Sequence, residues 1–303
     1  MATLACVVIR EELAAAAAVL HRAGIDTALN DAEWLLAALL DVGRFVLYLD
    51  AERGLPEEVV DAYRAAVGRR ARREPLQRIV GWEEFRGLRL ALTGAVLVPR
   101  PETETLADLA LALLPPVGEG SRPLAIDVGT GSGCLACAIA AERPDVDVLA
   151  VDVSPSAAST ARDNASRLGL ARQVRVIVSD LFGALGGARA DLIVSNPPYL
   201  PTATLATLPP EVRHHDPRLA LDGGADGLGV IGPLIAGAAA RLGPSGAIAL
   251  ETAGAAQAAT VGARLRDTGF AHVETRRDLA GVERFVVARG RSRSGRDAAL
   301  EGR

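Results

Sequence analysis

Four short segments carry residue types that could act together chemically. The first is Asp127-Val128-Gly129-Thr130-Gly131-Ser132-Gly133. Glycines let the backbone approach a ligand closely, and a helix N-terminus with free N–H groups follows. The spacing is G-x-G-x-G rather than the G-x-G-x-x-G of dinucleotide folds, which favours a single nucleoside carrying an amino acid over a pyrophosphate. Gly129, Thr130, Gly131, Ser132 and Gly133 are the candidate contacts, although a glycine loop alone is a weak signal. The second is Asp152, nineteen residues after Gly133 and at the end of a strand, where an acid can accept both ribose hydroxyls. The competing reading is a carboxylate that caps the next helix, but Ser154 already fits that place. The third is Asp180, at the next strand end, placed to reach an adenine amino group, with Leu181 and Phe182 beside the ring.

The fourth segment is Asn196-Pro197-Pro198-Tyr199. An amide nitrogen is a poor nucleophile because its lone pair is delocalised into the carbonyl, so a site that uses it must hold it in line. The Asn196 side-chain oxygen and the Pro197 carbonyl can accept the two N–H groups. Two prolines fix that carbonyl through their locked φ. Tyr199 can stack on the flat amide. Fixed orientation can supply up to about 7–11 kcal/mol of barrier lowering. No strong base is needed, and no His or Cys nucleophile arrangement is evident. The alternative is a proline turn leaving a strand. Taken together, the segments describe methyl transfer from S-adenosylmethionine to a planar amide or amino nitrogen.

The elements that must position these residues are legible as patterns. Residues 1 to 75 read as a helical domain, with helices over Ile9–Ala23, over Asp26–Leu40 and from Pro56 onward. Residues 76–98 read as a β-hairpin linker, punctuated by Gly81, Gly87 and Gly94. From 99 to 289 strands and helices alternate, with a long loop from Pro197 to about Gly224. This predicts an α/β fold: a seven-stranded, mostly parallel Rossmann-like sheet with helices on both faces. Residues 290–303 are polar and charged and read as a disordered tail.

Composition narrows the function class. Lys+Arg 33 against Asp+Glu 37 gives a net charge of -4, which argues against a protein that coats nucleic acid, so no direct DNA binding is expected. Every basic side chain is Arg, which excludes Schiff-base and P-loop lysines. No apolar stretch is long enough to span a bilayer, and Glu11 and Glu12 interrupt any export signal. Three cysteines suit a reducing cytoplasm, and a monomer is expected. Cys134-x-x-Cys137 has no second pair and reads as apolar filling on a helix, so no metal is expected. The Arg69–Arg73 cluster reads either as a solvated helix end complementing the dipole or as a contact to an acidic or RNA-bound partner.

Several further segments join these motifs. They are Pro75-Leu76-Gln77-Arg78-Ile79-Val80-Gly81, Val98-Pro99-Arg100-Pro101-Glu102-Thr103-Glu104, Gly223-Gly224-Ala225-Asp226-Gly227-Leu228, and Glu251 with Gln257. With them the chain resembles, over nearly its whole length, the protein-(glutamine-N5) methyltransferases that modify peptide chain release factors. The resemblance implies an N-terminal domain that docks the release factor and a catalytic domain that methylates the glutamine of its Gly-Gly-Gln motif. It also implies substrate contacts from Arg100 and Glu102 beside Asn196, Pro197, Pro198 and Tyr199. His215-Asp216, Thr252-Ala253 and the two cysteines depart from the family pattern. The Asn-Pro-Pro-Tyr motif alone is shared with adenine-N6 DNA methyltransferases. An adenine-N6 nucleic-acid enzyme and a non-catalytic release-factor-binding relative are therefore the alternatives.

Overall fold

A computed structural model describes residues 7–116, 118 and 122–291. The chain divides into two compact units. One comprises the described residues up to Trp82 together with Pro209–His215, and the other runs over Glu83–Leu208 and from Asp216 onward.

The helical unit is built from α1 (Ile9–Arg22), α2 (Ala28–Leu40), α3 (Arg44–Leu49), α4 (Glu57–Ala71) and α5 (Leu76–Val80). Ile9, Leu13, Ala16 and Leu20 form one stripe of α1 and are buried against Leu35, Leu36, Val60 and Val67. Tyr63 is fully buried, and its hydroxyl donates to the Ala32 carbonyl at 3.0 Å. Within the arginine cluster at the end of α4, Arg72 is exposed, but Arg70 and Arg73 are tied into the unit. Arg70 is buried, pairs with Asp31 at 2.7 Å and with Glu211 at 3.2 Å, and Arg73 reaches Glu211 at 2.9 Å. Helix α3 is absent from the sequence reading because six residues give too short a period. Only Leu47 faces its core, and Phe45, Tyr48 and Leu49 are exposed.

The expected hairpin is shorter than residues 76–98, because Leu76–Val80 is the helix α5, closed by Gly81 at φ 86°. The hairpin is β1 (Trp82–Phe85) with β2 (Leu88–Ala91). The division between units falls inside its first strand. Arg86, at its turn, pairs with Asp108 at 2.7 Å and Glu142 at 2.5 Å, and its backbone N–H donates to Glu104 at 2.9 Å.

The second unit alternates α6 (Pro101–Leu113), β3 (Leu124–Val128), α7 (Cys134–Glu142), β4 (Asp147–Asp152), α8 (Pro155–Arg167), β5 (Val174–Val178) and β6 (Ala190–Ser195). A helix of the first unit, α9 (Pro210–His215), interrupts it. Then follow α10 (Ile231–Arg241), β7 (Leu242–Glu251), α11 (Ala255–Asp267), β8 (Phe270–Arg277) and β9 (Glu283–Arg291). The seven strands from β3 to β9 lie in the order β5-β4-β3-β6-β7-β9-β8, and β9 runs antiparallel to both neighbours. The central strands are near-continuous apolar runs because helices cover both faces. Ala125, Val148, Val194 and Ala249 face α6 and α7, whereas Ile126, Val151, Ile193 and Ile248 face α10 and α11.

The loop expected from Pro197 to Gly224 contains short structure instead: a 3-10 turn over Thr202–Thr207, then α9, then a second turn over Arg218–Ala220. The expected tail lies outside the described residues, except that Gly290 and Arg291 complete β9.

Candidate active site

The chain runs outward from β3 through β4 to β5, then returns to place β6 on the other side of β3. Ligands of such sheets sit outside the carboxyl ends of the strands at this reversal. A cavity of about 340 Å³ opens there.

Gly129, Thr130, Gly131 and Ser132 of the glycine loop line it, and Gly133 does not. Gly129, Gly131 and Gly133 have φ of 73°, 55° and 83°, values that glycine adopts at no steric cost. A Cβ on Gly129 or Gly131 would meet nothing within 4 Å, so open space stands against the loop backbone. A Cβ on Gly133 would lie 3.2 Å from Ala161, where α7 and α8 approach closely. The backbone N–H groups of Gly129 and Thr130 both donate to the Val151 carbonyl, at 2.8 and 2.9 Å, which ties the loop to β4.

Beneath the loop lies Asp127, fully buried; burial pushes its carboxyl up to about 7. Its Oδ2 accepts from the Thr130 hydroxyl at 2.6 Å and the Ala136 N–H at 3.2 Å. It organises the loop rather than lining the cavity. Asn164 adds a second brace, donating to the Ser132 carbonyl at 2.9 Å and exchanging two hydrogen bonds with Ala91 of β2. The sequence shows Asp127 only as the start of the glycine segment, and it gives no sign of Asn164, whose partners are backbone groups of Ser132 and Ala91.

Asp152 lines the cavity at the end of β4. Its Oδ2 accepts from the Gly131 N–H and its Oδ1 from the Ser154 N–H, each at 2.9 Å. Each carboxylate oxygen has a further lone pair to offer. Ser154 is the helix cap, accepting from the Ala157 N–H at 3.2 Å. Asp180 and Leu181 also line the cavity, and Leu181 sits at φ 45°, a conformation that costs a non-glycine residue about 1–2 kcal/mol. Phe182 does not; it packs in the core against Gly237, with Arg241 over its ring at 5.5 Å. Cys134 lines the cavity, whereas Cys137 is buried and burial pushes its thiol up to about 12.

Asn196, Pro197, Pro198, Arg100 and Thr103 line the same cavity. Tyr199 and Glu102 are not among the lining residues. The Tyr199 hydroxyl donates instead to Glu251 Oε1 at 3.3 Å, and Glu102 is exposed on the first turn of α6. Asn196 Nδ2 donates to the Thr103 hydroxyl at 3.1 Å, and Thr103 donates to Glu251 Oε2 at 2.9 Å. Arg100 pairs with the buried Asp216 at 2.8 Å.

The turn at Pro198-Tyr199 is cradled from behind by glycine backbone. A Cβ on Gly223 would fall 2.8 Å from the Pro198 carbonyl oxygen, and one on Gly227 would fall 2.3 Å from that of Tyr199. Gln257 Nε2 bridges the Tyr199 and Gly227 carbonyls at 2.9 and 3.1 Å.

A family model described as the PrmC N-terminal domain matches residues 11–81, and one described as the methyltransferase small domain matches residues 108–208. The release factor glutamine methyltransferase of Deinococcus radiodurans is 47% identical over 284 residues, covering 93% of this chain and 98% of that protein. The protein of the same name from Geobacter sulfurreducens is 42% identical over 266 residues, covering 88% and 91%. This chain belongs to the release factor glutamine methyltransferase family. Among solved structures, the hMettl16 catalytic domain in complex with MAT2A 3'UTR hairpin 1 superposes with a TM-score of 0.54 at 16% identity, covering 81% of this chain and 85% of that one. That likeness shows the fold alone. This family member is thus a methyltransferase with a Rossmann-like sheet, and among its described residues no helix is long and apolar enough to cross a membrane.

Proposed function

We propose that this chain transfers a methyl group from S-adenosylmethionine to the side-chain amide nitrogen (N5) of the glutamine in the Gly-Gly-Gln motif of peptide chain release factors, in the cytoplasm. The observation that carries the reading is that one cavity is lined both by the glycine loop, Asp152 and Asp180 and by Asn196, Pro197 and Pro198. The first set of residues suits S-adenosylmethionine, which supplies a methyl group on a positively charged sulfonium. Gly129, Thr130, Gly131, Ser132 and Gly133 take its amino-acid portion against their backbone. The free lone pairs of Asp152 take the ribose hydroxyls, and Asp180 with Leu181 takes the adenine.

In the second set, Asn196 Oδ1 and the Pro197 carbonyl accept the two N–H groups of the glutamine amide and aim its nitrogen. The two prolines keep that carbonyl from turning away. Tyr199 stands behind them on Glu251, and Arg100, fixed by Asp216, borders the entry of the substrate segment. Glu102, at the exposed start of α6, extends that border.

The helical unit docks the body of the release factor. Helix α3 offers Phe45, Tyr48 and Leu49, large side chains that this chain leaves 73%, 58% and 68% exposed. Buried aromatic anchors of this kind dominate protein interfaces. With purified protein, methyl transfer is expected to intact release factor and not to DNA. A Phe45→Ser, Leu49→Ser variant should lose at least about tenfold in kcat/KM for the release factor, the cost of one good anchor, with cofactor affinity unchanged. Transfer to DNA alone would overturn the substrate, and wild-type kcat/KM in the variant would overturn the docking role.

Asp152→Ala removes two charge-assisted contacts to the ribose and two anchors of the surrounding loops. Charge-assisted hydrogen bonds contribute about 1.5–3 kcal/mol each, so affinity for S-adenosylmethionine should fall by about a hundredfold or more. A calorimetric titration returning wild-type affinity would remove Asp152 from the site.

A further inference from the structure

We propose that Glu251, acting through Thr103, sets which way round the Asn196 side-chain amide sits, and so makes Asn196 a hydrogen-bond acceptor toward the substrate nitrogen. The inference rests on the role given to Asn196 above. Glu251 and Thr103 are both buried, and of the two only Thr103 reaches the cavity wall.

The two ends of an Asn amide have nearly the same shape, and only the hydrogen-bond network distinguishes them. A threonine hydroxyl has a single proton to donate, and an ionised carboxylate can only accept. Thr103 lies 2.9 Å from Glu251 Oε2 and 3.1 Å from Asn196. Its proton goes to the carboxylate, so toward Asn196 it can only accept. That requires the NH2 end of Asn196 to face Thr103 and leaves Oδ1 for the cavity. Thr103 and Glu251 are each 2% exposed, so no bulk water offers Thr103 another acceptor. Without the carboxylate, the hydroxyl could donate to Oδ1 instead. The amide would then present its NH2 to the two N–H groups of the substrate, donor against donor.

Glu251 closes the apolar run Ala247-Ile248-Ala249-Leu250 at the end of β7, a place where a carboxylate has no packing value. It is held from three sides. Thr103 donates from α6, Tyr199 donates to Oε1 at 3.3 Å, and Arg284 of β9 favours its charge, while Glu102 of α6 opposes it. Burial dominates and pushes the Glu251 carboxyl up to about 7. Above that pH the carboxylate is acceptor-only and the amide is fixed. Below it the proton of Glu251 competes for Thr103, and the bias weakens. Turnover should therefore fall as pH drops through about 7, with cofactor affinity unaffected. Glu251 is a positioning residue, since it acts only through its neighbours.

The test is a set of four full-length variants assayed for methyl transfer to intact release factor across pH: T103V, T103S, N196A, and T103V combined with N196A. T103V is expected to lower kcat about tenfold, the worth of one buried hydrogen bond, with unchanged S-adenosylmethionine affinity and with the low-pH fall abolished. T103S, which keeps the hydroxyl, should restore most of the turnover and the pH fall. Added to N196A, T103V should cost little more, because both act through one group. Wild-type turnover in T103V, or a T103V loss that adds in full to that of N196A, would overturn the relay. So would a wild-type profile with no fall near pH 7, a result that does not depend on any variant folding. Wild-type turnover in N196A would instead remove the Asn196 reading beneath it.

Discussion

Asn196→Ala is expected to lower kcat by about a hundredfold or more while leaving the affinity for S-adenosylmethionine unchanged. The reason lies in when the contact matters. Asn196 Oδ1 accepts an N–H of an amide whose nitrogen gains positive charge as it attacks, so the bond is stronger in the transition state than in the bound substrate. Only such differential interactions raise turnover, and loss of one preorganised polar partner costs about 10²–10³ in kcat. Asn196 Nδ2 is already committed to Thr103 at 3.1 Å, so it is the oxygen that remains for the cavity. Asn196→Asp sharpens the result. It keeps an acceptor of the same reach, so it should retain more activity than the alanine variant. If both are equally inactive with cofactor binding intact, the Asn196 N–H donor is what the reaction uses, and the hydrogen-bond assignment is reversed.

Gly227→Ala should be the most disruptive single methyl group in the catalytic unit that touches no ligand. The added Cβ would fall 2.3 Å from the Tyr199 carbonyl oxygen and 2.7 Å from Gln257 Nε2, at a φ of 75°. The left-handed backbone alone costs a non-glycine residue about 1–2 kcal/mol. Overpacking adds about 1–3 kcal/mol, and here the obstacle is backbone rather than the end of a flexible side chain. The Tyr199 carbonyl must shift, Gln257 loses its bridge, and the Asn196–Tyr199 turn moves with it. The expected loss is about 3 kcal/mol of stability together with most of the turnover. Gly87→Ala is the control, because its φ of 74° is the same and a Cβ there would meet nothing within 4 Å. It should cost only the backbone share, about 1 kcal/mol. Equal shifts in thermal unfolding for the two variants would show that the cradle behind the turn is loose.

The seven-stranded sheet was legible in the sequence because β3, β4 and β6 are short apolar runs that lead into Gly129, Asp152 and Asn196, and each of these borders the cavity. Glu251 at the end of β7 entered only through the family resemblance, because a carboxylate beside no glycine loop gives no hint of its purpose. Its partner Thr103 lies 148 residues away, a separation no local pattern bridges. Helices α3 and α9 were not legible, since six residues make fewer than two turns and show no period. The role of Arg70 was not legible for a different reason. A run of arginines at a helix end looks solvated, and only the fold brings Asp31 and Glu211 to it. Tyr199 was placed by its motif, yet its hydroxyl is taken up by Glu251, which the spacing of the motif cannot reveal.

The most direct measurement of the central claim is the position of the transferred methyl group. Purified full-length protein would be incubated with S-adenosylmethionine and an unmodified release factor, with Asn196→Ala in parallel, and the product digested and mapped by fragment mass spectrometry. The account predicts a single methyl group on the side-chain nitrogen of the Gly-Gly-Gln glutamine, formed by the wild-type chain and nearly absent with the variant. A methyl group on any other residue, or the same yield from Asn196→Ala, would contradict it.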